Sequence, residues 1–589
     1  MGAGGVTRRE TLIVSIAMLI TAATRLWGLA RTPWDWDEIL FSLALRHYDV
    51  ALHHPHPPGF PLFIAAAKLF RAVGLSDFRS LQAVNLVAGM LLVPATFYLC
   101  RELGLRFSTS LIAALFLAFF PNVWFFGETA FSDVPSMVLV VLACGLLLRG
   151  RRSDKAYFWG TVVLALAGAM RPQNLIIGFA PLAIATWHRR RVWLTVAAGI
   201  AGCVIVVGSY AFAAHASGGW SRYREAIRAH QQYITETDSF LSPLRPPLHH
   251  LLDDFFVRPY HAPLINFCVT VLALISVGAS IVLRRAPALI AIAAFAPFCL
   301  VAWLFLDHFS ASRFSIGYAP LIAILAADGA SLVSANRERI EWALGLALTA
   351  VMFVWTLPAI DLARRSESPP LQAIRWIRVH VDPASSILIV HEGMGPYAED
   401  FLDRYRVEWT LDGPPIARLD PTPGWYINEG NNSQRGAMMF SWPRDRAWSI
   451  ARRRYFEVSV LPLTARPRFA GGWYDEESSG KSVWRWMGAR GTIELPSLKP
   501  FARLRMRIFV PLHVMKAAPA ITIRMNGATV AQFHVKQPFT DLVHDFGPQS
   551  HTLEIETDRV VNPLRQHLGQ DPRDLGLRLD QLEWIALQR

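Results

Sequence analysis

The chain is poor in cysteine. Its five, Cys100, Cys144, Cys203, Cys268 and Cys299, leave the last 290 of 589 residues with none. No disulfide framework holds that part together, so it relies on an apolar core. Charge is scarce as well, at 17% of residues, below the ~25% of ordinary soluble chains. That argues against a solvated or disordered protein. Lysine is rare beside arginine, the bias of a GC-rich bacterial genome. Internal repeats are missing too, which counts against a transporter built from repeated halves.

What is present is apolar sequence. Mean hydropathy is +0.29, and eleven apolar runs, from 11–30 to 342–358, each approach the length that spans ~30 Å of hydrocarbon. The connectors "TRRE" (7–10), "CRELGLR" (100–106), "RGRRSDK" (149–155), "HRRR" (188–191), "RR" (284–285) and "NRER" (336–339) fall on one side if the N-terminus is cytoplasmic. The net charge of +13 is then largely topogenic, and no nucleic-acid partner is expected. Arg8-Arg9 before the first run reads as a retained signal anchor. The expected location is a bacterial inner (plasma) membrane, multi-pass, with the C-terminal region extracytoplasmic.

The expected fold class is a polytopic α-helical membrane domain over 1–360 with about eleven spans. A small extracytoplasmic α/β region (361–465) and a β-sandwich of jelly-roll type (466–589) follow. In that last stretch "RLRMRIFV", "AITIRM" and "HTLEIET" alternate with period two, and Asn526-Gly527 marks a hairpin. Two outer loops are long, 31–80 and 215–261. In the first, "ILFSLALRHY" (39–48) and "FPLFIAAAKLF" (60–70) are too short to span and predict surface-lying helices.

The first outer loop opens with "WDWDE" (34–38). Asp35 fits a helix N-cap, with Glu38 three residues on to close a capping box. Asp37 has no such local task, and a carboxylate at a low-dielectric boundary is a good base. "HHPHPPGFP" (53–61) follows; alternate residues of an extended chain share a face, so His54 and His56 suit a phosphate or sugar. A metal there lacks further ligand spacing, and no metal site is assigned. Other span ends on this face carry Glu128 and Asp133, Arg171 and Gln173, and Asp307, His308 and Arg313. Ionisable groups at a membrane edge are functional candidates.

The segments "WDWDE", "HPPGFPLFI" (56–64), "SDVP" (132–135) and "SRFSIGYAPLIAILAADG" (312–329), in that order and topology, resemble the GT-C superfamily of polytopic, lipid-phosphate-sugar-dependent glycosyltransferases. The group holding protein O-mannosyltransferases, lipid A aminoarabinose transferases and RgtA/B/C/D-like enzymes is the nearest likeness. The resemblance covers roughly 1–360. It implies a catalytic base at Asp37 with Glu38 beside it, a second acid at Asp133, and phosphate contacts from Arg171 and Arg313; His54, His56, Asp307 and His308 are substrate-binding candidates on the residues alone. The implied partners are a polyprenyl-phosphate sugar donor, a lipid, glycan or protein acceptor and membrane lipids. No organic cofactor is expected, and a divalent metal stays open. The chain departs from the family at Gly59-Phe60-Pro61 and in its β-rich tail, where Trp473, Tyr474, Trp484 and Trp486 are either core or glycan-stacking residues. The alternatives are a transporter or flippase of lipid-linked saccharide and a non-catalytic, membrane-anchored glycan-binding protein.

Overall fold

In the computed structural model, which describes residues 7–188, 191–237, 239, 241–243, 245–257, 262–305, 311–335, 337–432, 436–451, 454–463, 465–479, 482–496, 501–515, 517–547 and 550–587, each apolar run is helical over most of its described residues. The helices are α1 (Arg8–Gly28), α2 (Trp36–Arg46), α3 (Pro61–Ala72), α4 (Asp77–Leu103), α5 (Phe107–Phe119), α6 (Pro121–Gly127), α7 (Asp133–Gly150), α8 (Asp154–Met170), α9 (Asn174–Trp187), α10 (Val192–Ala216) and α11 (Trp220–Thr237). After them come α12 (Leu248–Leu252), α13 (Pro263–Leu283), α14 (Ala286–Phe305), α15 (Ala311–Phe314), α16 (Ala319–Val333) and α17 (Glu338–Arg365). One unit takes in Met1–Leu371 together with Trp442–Phe456; the other is Gln372–Ser441 with Glu457–Arg589. Residues 361–465 are thus divided between them.

Eight of the described helices are long and apolar enough to cross a membrane, nine if α5 and α6 count as one. That pair bends by 58° where Pro121 starts the second helix, a position that needs no N–H. Of the eleven expected spans, α8 and α9 fall outside this count, with 17 and 14 residues, about 25 and 21 Å at 1.5 Å per residue; α8 nonetheless runs back along α7, from Asp154 to Arg171 beside Asp133. A correction concerns α2. Eight of its 11 residues are buried, because Ile39 to Leu45 put apolar groups on every side and leave no face for water. Helix α3 does keep a one-sided pattern, burying Pro61, Phe63, Ile64 and Ala67.

Small residues let the helices approach closely. Gly329 of α16 lies against the backbone of α13, where a Cβ would run into the Leu272 carbonyl. Arg285 forks onto Asp328 of α16 with two bonds of 2.8 Å, and Ser276 of α13 donates to the same carboxylate at 2.7 Å.

Helix α18 (Pro369–His380) leads into the second unit, whose α/β part holds β1 (Ile387–His391), α19 (Gly395–Phe401), β2 (Arg406–Thr410), β3 (Pro415–Arg418), β4 (Gly424–Glu429), β5 (Met438–Ser441) and β6 (Glu457–Leu463). Strands β2-β1-β4-β6-β5 form one sheet, parallel at β1–β2 and β1–β4. Between β5 and β6, α20 (Arg446–Ala451) belongs to the membrane unit, and its Ala447, Ile450 and Ala451 join the core built by α4, α5 and α7.

The remaining strands are β7 (Arg468–Ser479), β8 (Ser482–Glu494), β9 (Phe501–Phe509), β10 (Ala520–Met525), β11 (Ala528–His534), β12 (Phe539–Phe546), β13 (Thr552–Thr557) and β14 (Leu577–Leu587). With β3 they make a nine-stranded antiparallel sheet, the β-rich tail expected from the alternation. One core cluster draws on β8, β9, β10, β13 and β14, so the sheet curls around it. The Asn526-Gly527 hairpin is in place: both residues have positive φ, 49° and 83°, between β10 and β11, as a type I′ turn requires.

Gly329→Ala is expected to lower stability by about 1–3 kcal/mol, the usual cost of overpacking. Thermal unfolding in detergent checks this; an unchanged melting temperature means that α13 and α16 yield at no cost.

Candidate active site

Trp34 is fully buried among Phe125, Phe126, Phe131 and Phe456, with ring centroids 5.8–6.3 Å away. This anchors the start of the loop over 31–80. The capping box expected of Asp35 and Glu38 forms: Asp35 accepts from Asp37 N–H at 3.1 Å, and Glu38 Oε2 accepts from Trp34 N–H at 2.8 Å and Asp35 N–H at 3.1 Å. Glu38 Oε1 reaches across to Ala130 N–H at 2.9 Å. All three amides favour the carboxylate, yet burial outweighs them and pushes Glu38 up to about 8. Its carboxylate is thus held by backbone, tying the opening loop to the turn before α7.

Asp37 instead joins a chain of charges. Its Oδ2 accepts from Arg313 Nη1 at 2.5 Å, and its Oδ1 lies 3.6 Å from His56 Nδ1. Arg313 Nε lies 3.5 Å from Asp133 Oδ2, and Asp133 Oδ1 pairs with Arg171 Nη1. Five side chains from α2, the 53–60 segment, α15, the start of α7 and the end of α8 therefore meet. Arg313, Asp133 and Arg171 are 5–7% exposed, Asp37 and His56 15%. Two acids against two guanidiniums keep the cluster neutral, which is what permits its burial. Aromatic faces complete the walls: Arg313 stands 4.7 Å from the Phe131 ring and Arg171 5.5 Å from Phe60.

Uncharged amides fix the backbone around this cluster. Asn122 of α6 donates to Ser312 O at 2.8 Å and Ser315 Oγ at 2.9 Å, holding the turn that bears Arg313. Asn85 of α4 donates to Phe131 O at 2.8 Å, and Gln82 to Glu128 O at 2.9 Å. These residues escape a search for charge; the available signal is an amide side chain inside an otherwise apolar run.

The histidines separate. His56 packs between Phe41 and Phe60, and burial holds it down to about 3 although Asp37 pulls the other way, so it is neutral at physiological pH. His54 bonds through its backbone to Asp49 in both directions, with its ring facing His47. The chain turns at Pro55, between the two histidines, so the extended geometry that would have set His54 and His56 on one face is lost. His230 of α11, which the sequence did not single out, lies 6.3 Å from His56 and is likewise lowered by burial. Glu128 is elsewhere, paired with Arg25 of α1 at 3.7 Å and bonded by Trp124 Nε1 at 2.8 Å. Asp307 and His308 lie outside the described residues. Among the described residues no group of three His, Cys, Asp or Glu has the placement to hold a metal.

The four tail aromatics differ in surroundings. Trp473 packs on Phe469 against the sheet core, and Tyr474 donates to Asp574 O at 3.0 Å. Trp484 and Trp486 lie 5.1 and 5.8 Å from the Arg578 guanidinium.

No family model matches the chain. Over 101 residues it is 33% identical to a Dol-P-Glc:Glc(2)Man(9)GlcNAc(2)-PP-Dol alpha-1,2-glucosyltransferase of Yarrowia lipolytica, a match covering 16% of this chain and 19% of that relative. Among solved structures it is similar to the oligosaccharyltransferase of Archaeoglobus fulgidus tethered with an acceptor peptide, with a TM-score of 0.45, 11% identity, and 99% and 98% of the two chains covered. ArnT of Cupriavidus metallidurans bound to undecaprenyl phosphate gives a TM-score of 0.45 and 11% identity over 77% of this chain and 98% of that one. The mycobacterial arabinofuranosyltransferase AftD gives 0.40 and 11% over 100% and 59%.

Glu38→Gln tests the anchoring carboxylate. In the unfolded chain the group ionises near 4.5, and in the fold near 8. Its contribution to stability is therefore complete below about 4.5 and is lost as pH rises through about 8. Thermal melts of both proteins across this range should show the wild-type advantage shrinking as pH rises; a constant advantage means that Glu38 stays ionised in the fold.

Proposed function

We propose that the chain is a GT-C-type membrane glycosyltransferase that moves a sugar from a polyprenyl-phosphate donor to an acceptor hydroxyl on the extracytoplasmic side. One observation carries the reading: two carboxylates and two guanidiniums sit buried as a connected chain, with a neutral histidine at one end. Such a group suits a reaction in which a proton must leave a hydroxyl while a phosphate gains charge.

In the proposed step the acceptor oxygen attacks the anomeric carbon as the bond from that carbon to the phosphate oxygen breaks. The hydroxyl proton passes to Asp37, whose Oδ1 faces His56 while Oδ2 is steadied by Arg313. The departing phosphate takes up negative charge, which Arg171 and Arg313 offset by charge-assisted hydrogen bonds. Asp133 bridges the two guanidiniums and sets their spacing. Glu38 acts as a positioning residue through Trp34, Asp35 and Ala130. His56 is the neutral group nearest the base, suited to a sugar hydroxyl.

Purified protein in nanodiscs, incubated with radiolabelled polyprenyl-phosphate sugars and membrane extract, tests the reading. Undecaprenyl phosphate, which the ArnT neighbour holds, is the first carrier to try. Transfer from soluble nucleotide sugars with no lipid intermediate overturns it. With an active donor, Asp37→Asn should lower the rate by ~10²–10⁴, the usual effect of losing a general base, in protein that still folds but melts at a lower temperature, because buried Arg313 loses a partner. Asp35→Asn should be mild, because Asn caps as well as Asp. A nearly active Asp37→Asn protein shifts the base to Asp133.

The orientation follows from the basic connectors and is tested separately. In a cysteine-free background, Thr235→Cys and Ser479→Cys should react with an impermeant maleimide in intact spheroplasts, and Ser153→Cys only after lysis. The reverse pattern inverts the map.

A further inference from the structure

The second unit contains a cleft of about 740 Å³, within the range of small-ligand sites. Its walls come from β2, β3, the β7–β8 hairpin, β9, β12 and β14. Four arginines and four acids line it, and the charges are set side by side. Arg578 forks onto Asp580 at 2.6 and 2.9 Å, Arg406 meets Glu408 at 3.0 Å, and Arg418 Nη2 lies 3.6 Å from Glu408 and 3.7 Å from Asp420. With each charge answered, the cleft has no strong field to collect an anion or a cation.

Two features show an incomplete wall. Arg418 is only 6% exposed, and its Nε and Nη1 have no hydrogen-bond partner among the described residues. Both atoms are closed to solvent, Nη1 lying toward Gly424 of β4, so the donor Arg418 presents beside the cleft's acids is Nη2, too far from Glu408 and Asp420 for a full hydrogen bond. Phe539 also lines the cleft, 41% exposed, with Arg507 5.2 Å from its ring. Trp484 borders the same space, its indole N–H held by Glu477 at 3.0 Å.

We propose that this cleft binds a neutral oligosaccharide. A sugar hydroxyl donates and accepts at one atom, which matches a surface where guanidinium and carboxylate alternate. Glu408 and Asp580 accept from hydroxyls, Arg418 donates to hydroxyl or ring oxygens, and the apolar face of a sugar ring covers Phe539 beside Trp484. A phosphate or nucleic acid would require unanswered cations, and an apolar peptide would leave the paired charges unsolvated. The site lies wholly in the second unit and does not rest on the transfer reading.

The test uses the full chain in nanodiscs against an array of neutral oligosaccharides (glucans, mannans, galactans, arabinans and xylans), with oligogalacturonate and chitosan oligomers as charged controls. At least one neutral series should bind. Arg418→Met and Phe539→Ala should each weaken it by about tenfold or more, as loss of a central contact does. Because Arg418 is buried, Phe539→Ala serves as the variant that leaves the fold alone, and the melting temperature of both is measured. Failure of every neutral series, full binding by Phe539→Ala, or tighter binding of a charged control each overturns the proposal. Loss of sugar transfer with glycan binding intact would count against the membrane site alone.

Discussion

Asp133 is shared by two guanidiniums, and one end of the membrane unit is organised around that sharing. Removing one member of a buried ionic group leaves a charge without compensation, at a cost of several kcal/mol. The segments bearing Asp37, Asp133, Arg171 and Arg313 are therefore stable together and unstable apart. The amides of Gln82, Asn85 and Asn122 reduce the remaining freedom by pinning the turns on either side. The result is a polar group held rigidly before any ligand arrives, the preorganisation that electrostatic catalysis requires.

The opposite ends of the helices use a related device. Buried Glu341 of α17 accepts from Arg106 at 2.9 Å, Ser108 at 3.1 Å and Thr109 at 2.5 Å, and Glu102 of α4 takes Arg149 and Arg152 at 3.1 and 2.8 Å. Arginines of the basic connectors thus also close contacts between helices, and packing constrains their positions.

Much of this was legible in the sequence. Apolar length gives helices wherever it occurs, the Asn-Gly pair gives its hairpin, and the spacing of Asp35 and Glu38 gives the capping box that singles out Asp37. Arg313, Asp133 and Arg171 were legible as candidates because charge is costly at a membrane edge. Their mutual pairing was not, since it depends on how four helices assemble. Two readings failed for the same reason, that local pattern does not report tertiary surroundings. Uniform apolarity in α2 signals enclosure and not surface lying, and the proline-rich segment turns and separates His54 from His56. Arg25 was hidden within a run scored as a span, and only the fold shows Glu128 opposite it.

The excursion at Trp442–Phe456 bears on how such a chain can be altered. Its Phe456 ring touches Trp34, and Trp442 Nε1 donates to Glu367 O at 2.8 Å, so residues far along the chain complete the core beneath the loop over 31–80. The units exchange the chain three times, at 371/372, 441/442 and 456/457. A single cut at the end of α17 would thus strip the membrane half of part of its own interior. The second unit as a whole is not a detachable cassette: recombination that replaces everything after α17 must carry those fifteen residues along, which ties the inheritance of the two halves together.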